Sequence, residues 1–422
     1  MTFWANVGFF LQPTAMPDVD CGGAVSGFRS NSGMINRLGD QMHQITFYPV
    51  GNGDSSQIVL ENGKRLMFDF RHLKLAEEGN GPEIDLKKRL RSELFEANRD
   101  YFDVLAFTHC DSDHINNSTE FFELLHAAKY QGADRIKIRE LWVPAAMIIE
   151  EATNDQQSNE FVVWRQEARY RLKEGKGIQV FSRPDKLKVW LEKEGIKLED
   201  RQNLITDAGK HAKGLTRLAD GVEFFCHSPY IKHVDEGDDL RNDASLIFNV
   251  RFNAGNDVVD YLAVGDSTWQ VLEDIVRTTK AHDNDDRLAW DLFNIPHHCS
   301  YLALSDEKGD TETEPKPLIK ELLLAGKANA FIVSSSDPIT DTYASRQQTR
   351  PPHVQAKKCY ERYLNEVDGR SFVVVMSEPN AFKPEPIVFN IDVSGLRRKM
   401  AIAAPTILIT NKPAPRAGNG RI

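Results

Sequence analysis

The chain has 422 residues, 41% of them apolar and 27% charged, with a formal net charge of −10 and a pI near 5.7. That length and apolar content can bury a large core and allow two or three domains. The acidic balance excludes a generic polyanion binder, and no apolar run approaches the roughly 18 residues that a membrane span needs. The opening Met-Thr-Phe-Trp-Ala-Asn lacks the basic flank of a signal peptide. Cys21, Cys110, Cys226, Cys299 and Cys359 are odd in number and widely spaced, which predicts reduced thiols and a cytoplasmic location away from membranes.

Residues 1–42 are punctuated by Gly and Ser and carry no clear period, so they read as an N-terminal extension that can serve as an arm for a partner protein. Three short strands follow within 44–70, and the Asn62-Gly63 pair between two of them is a strong hairpin signal. Leu86, Leu90 and Leu94 recur every four residues and predict an amphipathic helix. The run Val104–Phe107 predicts a buried strand, followed by a helix across Glu120–Tyr130 and a further strand over Ile136–Val143. Residues 145–217 predict a helical insertion, with helices over Phe161–Lys173 and Pro184–Lys193. Within 160–217, 14 Lys and Arg stand against 9 Asp and Glu. Such a basic face on an acidic chain can meet phosphates, with Arg165 and Arg169 as substrate contacts, but a solvated helical face of mixed charges is the somewhat better reading. Strands over Val222–Cys226, Ser245–Phe252, Asp260–Val264, Leu292–Ile295, Ala330–Val333 and Phe372–Met376 complete an α/β core, with an acidic loop at 235–239. Residues 396–422 form a C-terminal segment that ends in a tail of disorder-prone composition.

The most informative stretch is Thr108-His109-Cys110-Asp111-Ser112-Asp113-His114. It places two imidazoles and two carboxylates within six residues, at the end of an apolar strand. In α/β sheets the carboxyl ends of strands are where sites are built, and this donor mixture suits zinc, manganese or iron. Three further strands end in polar clusters: Gly265-Asp266, His297-His298-Cys299-Ser300 and Ser334-Ser335-Ser336-Asp337. Cys110 and Cys299 read as spacers, because the His/Asp set already suffices.

In these motifs the chain resembles metallo-β-lactamase-fold hydrolases, and among them the soluble domain of ComEC-type competence proteins. The matching elements are Val50-Gly51-Asn52-Gly53-Asp54, the strand ending at Asp69, the His109–His114 motif with Asp111 where most relatives carry a second His, Asn242-Asp243-Ala244-Ser245-Leu246, Gly265-Asp266, and His297–Ser300 with Cys in place of Gly. Pro352-His353 loosely echoes a terminal His-Pro element in reversed order. The resemblance spans about residues 43–393. It implies one metallo-β-lactamase-like αββα sandwich over 43–395, with 145–217 inserted into it.

The resemblance further implies two divalent ions, zinc or manganese, with magnesium as an option. His109 and Asp111 would serve one ion, and Asp113 and His114 the other. Asp266 would bridge them, and His298 or His297 would close the second site. Another ligand of the first ion is sought among Asp243, Asn242, His227 and His233. Asp69 and Ser300 would orient the ligands from behind, while His353 would touch substrate. The catalytic trio would be Asp113, His114 and Asp266, acting on a phosphodiester, nucleic acid foremost. The alternatives are a small ester, lactone, thioester or cyclic nucleotide as substrate, or a metal-binding regulatory subunit without catalysis.

Overall fold

A computed structural model describes residues 42–150, 158–236 and 242–399. The expected N-terminal extension, most of the acidic loop and the tail from 400 onward lie outside the described residues. Two sheets stack face to face. The first runs through β1 (His43–Phe47), β2 (Ser56–Val59), β3 (Arg65–Phe68), β4 (Tyr101–Ala106), β5 (Lys137–Pro144), β6 (Ile178–Phe181) and β7 (Ile205–Thr206). The second contains β8 (Val222–Ser228), β9 (Ile247–Ala254), β10 (Asp257–Val264), β11 (Trp290–Asn294), β12 (Gly326–Ser334) and β13 (Ser371–Val374). The chain then returns to the first sheet, where β14 (Ile387–Asp392) pairs with β1 and β15 (Gly395–Lys399) pairs with β14.

Alternation along the strands builds three apolar layers. In β3, Leu66 and Phe68 point between the sheets while Met67 points outward; in β4, Val104 and Ala106 point inward and Leu105 outward. The inner layer also holds Trp142, Phe181, Phe224, Phe248 and Phe331. One outer layer sets Leu86, Leu90, Leu94, Phe161, Trp164 and Leu187 against the first sheet. The other sets Val271, Ile275, Ile319, Leu322 and Tyr360 against the second. The architecture is therefore helix–sheet–sheet–helix, the αββα sandwich expected from the sequence.

Three boundaries differ from expectation. Residues 145–217, expected as a helical insertion, carry strands as well as the expected helices: β6 and β7 continue the first sheet in parallel beyond β5, and the helices Asn159–Glu174 and Asp185–Lys193 bury their apolar faces in that sheet's outer layer. The expected helix over Glu120–Tyr130 is replaced by two 3₁₀ turns, Ser118–Glu120 and Ala128–Tyr130, flanking a bridge from Phe122 to Ile136. The consecutive rings of Phe121 and Phe122 both pack on Phe70, so two adjacent residues face the same core, which a regular helix would not allow. Finally, β15 crosses the expected domain end at 395 and extends the sheet as far as Lys399.

Parallel pairing places the functional edge. β3 and β4 run parallel, as do β10, β11 and β12, so their carboxyl ends open on one side.

Trp164 tests the integral role of 145–217. It is fully buried, 4.7 Å from Phe107 between ring centroids, and its Nε1 donates to Ser118 Oγ at 2.6 Å. Trp164→Ala should destabilise the whole chain by about 3–5 kcal/mol. Chemical denaturation should show this as one shifted transition, whereas a detachable insertion would melt separately and leave the main transition in place.

Candidate metal centre

At that edge, buried donors meet. His109 and His114 lie beyond β4, Asp266 follows β10 and His298 follows β11. His114 Nε2 is 3.4 Å from Asp266 Oδ1, and His298 Nε2 is 3.4 Å from Asp266 Oδ2 and 3.2 Å from Asp113 Oδ2. Two compact donor groups result, and they share His114: Asp54, His114, Asp266 and His298 form one, and His109, Asp113 and His114 the other.

Each imidazole is set from behind. His114 Nδ1 lies 2.8 Å from Asp69 Oδ2, which leaves Nε2 to face the centre. His298 Nδ1 donates to the Ser335 carbonyl at 2.8 Å, with the same consequence for its Nε2. Asp69 also accepts from the Thr108 backbone N–H at 2.7 Å and the Thr108 hydroxyl at 2.6 Å, so it fixes the start of the metal loop as well as the His114 ring. Ser300 caps its own turn by accepting from Leu302 N–H, so it shapes the loop that carries His298. That loop has three successive left-handed residues, His297, His298 and Cys299, at φ of 52°, 51° and 66°. Side chains rarely adopt this conformation, and such strain clusters at functional sites.

The donor set fits a cation. His109 Nε2, His114 Nε2 and Asp266 Oδ1 are buried without a hydrogen-bond partner, a condition that native structures avoid unless something else satisfies the atom. Burial would strip a proton from His114, yet Asp266 and Asp69 overcome that and hold its pKa well above the usual imidazole value. Burial works against His298 in the same way, and Asp266 and Asp113 outweigh it. Burial raises the Asp54 carboxyl, with partial relief from His298 and His114. Protons and divalent cations are alternative answers to the same charge problem.

Asp54 is the ligand candidate that sequence reasoning did not assign. Its Oδ2 lies 3.9 Å from His114 Nε2 and 3.7 Å from His298 Nδ1. It arrives because β2 is antiparallel to β3, with Ser56 opposite Phe68, so the turn entering β2 lies beside the end of β3. The signal was present in Val50–Asp54, but nothing in its spacing marks a ligand.

Other expected residues stand elsewhere. Asp111 begins the short helix Ser112–Ile115 and lies 3.9 Å from His109 Nε2, outside both compact groups. His297 also stays outside them. Asp243 is half-buried and is likewise absent from both groups, although its segment is stitched to the site by Leu246 N–H donating to Thr108 O at 2.9 Å. His227 Nε2 faces the Arg287 carbonyl at 3.0 Å and His233 Nε2 faces Asp274 at 3.0 Å, so both imidazoles serve other neighbours. His353 is 1% exposed, and its Nδ1 accepts from Tyr301 N–H. It braces the His298 loop and is not open to substrate. Arg165 and Arg169 are consumed by chain folding: they donate to the Glu150 and Ile148 carbonyls. Cys110 and Cys299 lie in apolar layers.

No protein-family model and no curated protein matches the chain. Solved structures with a similar course include a diphosphatase of the PhnP family, at 10% identity and TM-score 0.29, covering 83% of this chain and 98% of that one. Others are the class B3 di-zinc metallo-β-lactamase LRA-12 from an Alaskan soil metagenome (13%, TM-score 0.30, covering 76% and 90%) and the metallo-β-lactamase GOB-18 from Elizabethkingia meningoseptica (13%, TM-score 0.30, covering 76% and 89%). At this identity and overlap they are likenesses only, and the chemistry below rests on the site's own atoms.

Asp69→Asn keeps the side-chain shape but removes the carboxylate behind His114, and should weaken divalent-metal affinity about 10–100-fold with the fold intact, read by competition with a chromogenic chelator. A pH dependence follows from His114. Its proton stabilises the metal-free fold fully below 6.5, and that contribution is lost as pH rises through the raised folded value. Metal affinity measured by calorimetry should therefore climb with pH from about 6 upward, with proton release on binding.

Proposed function

We propose that this chain is a metal-dependent hydrolase that cleaves phosphodiester bonds with the help of two divalent ions. The observation that carries this reading is the convergence of three imidazoles and three carboxylates from strand ends of both sheets, several of their buried donor atoms lacking a protein partner. Such ions supply Lewis-acid polarisation of substrate and activation of water near neutral pH. The chain's own residues do the rest. Asp69 and the Ser335 carbonyl fix which imidazole nitrogen faces the centre, and the sandwich keeps His109, His114, Asp266 and His298 almost free of solvent. Asp113 stays 35% exposed at the side chain and so defines the open face by which substrate enters. Three carboxylates beside three imidazoles suit zinc or manganese, and the oxygen donors admit magnesium.

Nucleic acid is the substrate class supported by the ComEC-like sequence motifs, including the His109–His114 variant. A small phosphodiester is the second reading, and one observation favours it: Arg165 and Arg169, expected to grip a polymer, are bonded to backbone carbonyls, and Arg171 is bonded to Glu167. Among the described residues no helix is long and apolar enough to cross a membrane.

Elemental analysis should find about two divalent ions per chain, with fewer in Asp266→Ala, and His114→Ala should abolish cleavage of single- and double-stranded DNA and RNA and of bis(p-nitrophenyl) phosphate. Affinity that falls steeply with salt supports the polymer, since each phosphate contact adds about 0.7–0.9 to the logarithmic slope. A flat slope with efficient cleavage of the chromogenic diester supports the small substrate. Wild-type protein that binds metal but cleaves none of these substrates would defeat the proposal.

A further inference from the structure

The loop Gly51-Asn52-Gly53 is built around one side chain. A Cβ on Gly53 would stand 2.0 Å from Arg71 Cδ and 2.6 Å from the Asp113 carbonyl oxygen, and a Cβ on Gly51 would stand 2.7 Å from Arg71 Nη1. Gly51 also has φ of +83°, which side chains rarely adopt. The two glycines thus leave a channel that Arg71 fills. The loop is anchored on both sheets. Asp54 N–H donates to the Asp113 carbonyl at 3.2 Å, and Asn52 accepts from Asp337 N–H at 2.8 Å and donates to the Pro351 carbonyl at 2.8 Å. Arg71 itself is held by its backbone N–H donating to Ser55 Oγ at 2.8 Å, and its Nη1 donates to the Val50 carbonyl.

We propose that Arg71 is a substrate-binding residue that holds the anionic group of the substrate at the mouth of the metal centre; this rests on the hydrolase reading above and names the charge that its substrate must carry. Three observations carry it. First, Arg71 lies beside Asp113, which at 35% side-chain exposure is far more open than His109, His114, His298 and Asp266, each at or below 5%. It therefore flanks the open face. Second, the guanidinium makes one hydrogen bond, and no ion pair within 4.0 Å involves Arg71 among the described residues, whereas Arg251 and Arg287 are bound into carboxylate clusters. Third, the carboxylates that act on it are Asp113, Asp337 and Glu83, so the cation is balanced from a distance and its remaining N–H donors are left for a ligand. A planar fork of donors beside a metal centre matches a phosphoryl group in geometry and charge.

The test uses the full chain loaded with manganese and inorganic phosphate as the probe, followed by calorimetry, with metal content measured in parallel. Arg71→Ala should weaken phosphate binding about 10–100-fold while metal stoichiometry stays at the wild-type value, because a charged hydrogen bond is lost and no metal donor is touched. Arg71→Lys should recover part of the affinity, since it keeps the charge without the fork. On bis(p-nitrophenyl) phosphate the Ala variant should raise KM more than it lowers kcat. Equal phosphate affinity in wild type and Arg71→Ala, including none in either, overturns the inference and leaves the metal centre standing. Loss of metal in both Arg71 variants overturns it by making Arg71 a brace for the loop. A wild-type chain that takes up no metal defeats the hydrolase reading, and this inference falls with it.

Discussion

Bringing Asp54, Asp69, Asp113 and Asp266 toward one point is the constraint on which the rest of this structure depends. Asp69 and Asp266 are at most 3% exposed, and ionised carboxylates withdrawn from water are costly unless opposite charge meets them. Asp266, 3.4 Å from His114 Nε2 and from His298 Nε2, raises the pKa of both imidazoles against the effect of burial. A divalent cation meets the carboxylate charge more completely, and its donors are already turned inward.

The fold delivers those donors by simple rules. Parallel neighbours share a carboxyl edge, so β10 and β11 bring Asp266 and His298 together in the second sheet, and the end of β4 in the first sheet brings the metal loop to meet them. An antiparallel neighbour contributes at its entry instead of its exit, which is how Asp54 joins from the turn before β2. The left-handed turn at His297–Cys299 is held by His353, whose backbone N–H donates to the Cys299 carbonyl at 3.0 Å while its ring accepts from Tyr301 N–H. The Gly51–Asp54 loop then joins the two sheets across the site, through Asp113 on one side and Asp337 on the other.

Much of this was legible in the chain, for identifiable reasons. The strand before His109 and the alternation along β3, β4 and β10 follow from period-2 patterning, and the Asn62-Gly63 turn forms between β2 and β3 as its residues require. His109, Asp113, His114, Asp266 and His298 could be picked because donor-rich clusters followed apolar runs. What could not be read was pairing. Asp54 depends on the antiparallel register of β2, and His227 and His233 could be set aside only once their neighbours were known. The arginines of 160–217 looked like a basic surface, because a count of charges does not reveal that Arg165, Arg169 and Arg171 satisfy carbonyls of the same fold. Within 145–217, β6 and β7, of four and two residues, are too short to stand out between helices in the sequence.

The central claim is that this cluster is a metal site, and anomalous diffraction from crystals grown with manganese or zinc addresses it most directly. The account predicts strong peaks within coordination distance of donors drawn from Asp54, His109, Asp113, Asp266 and His298, with His114 Nε2 serving one of the ions. Peaks confined to other histidines, such as His43, His72 or His227, or no peak at this edge under conditions that load metal elsewhere, would contradict it.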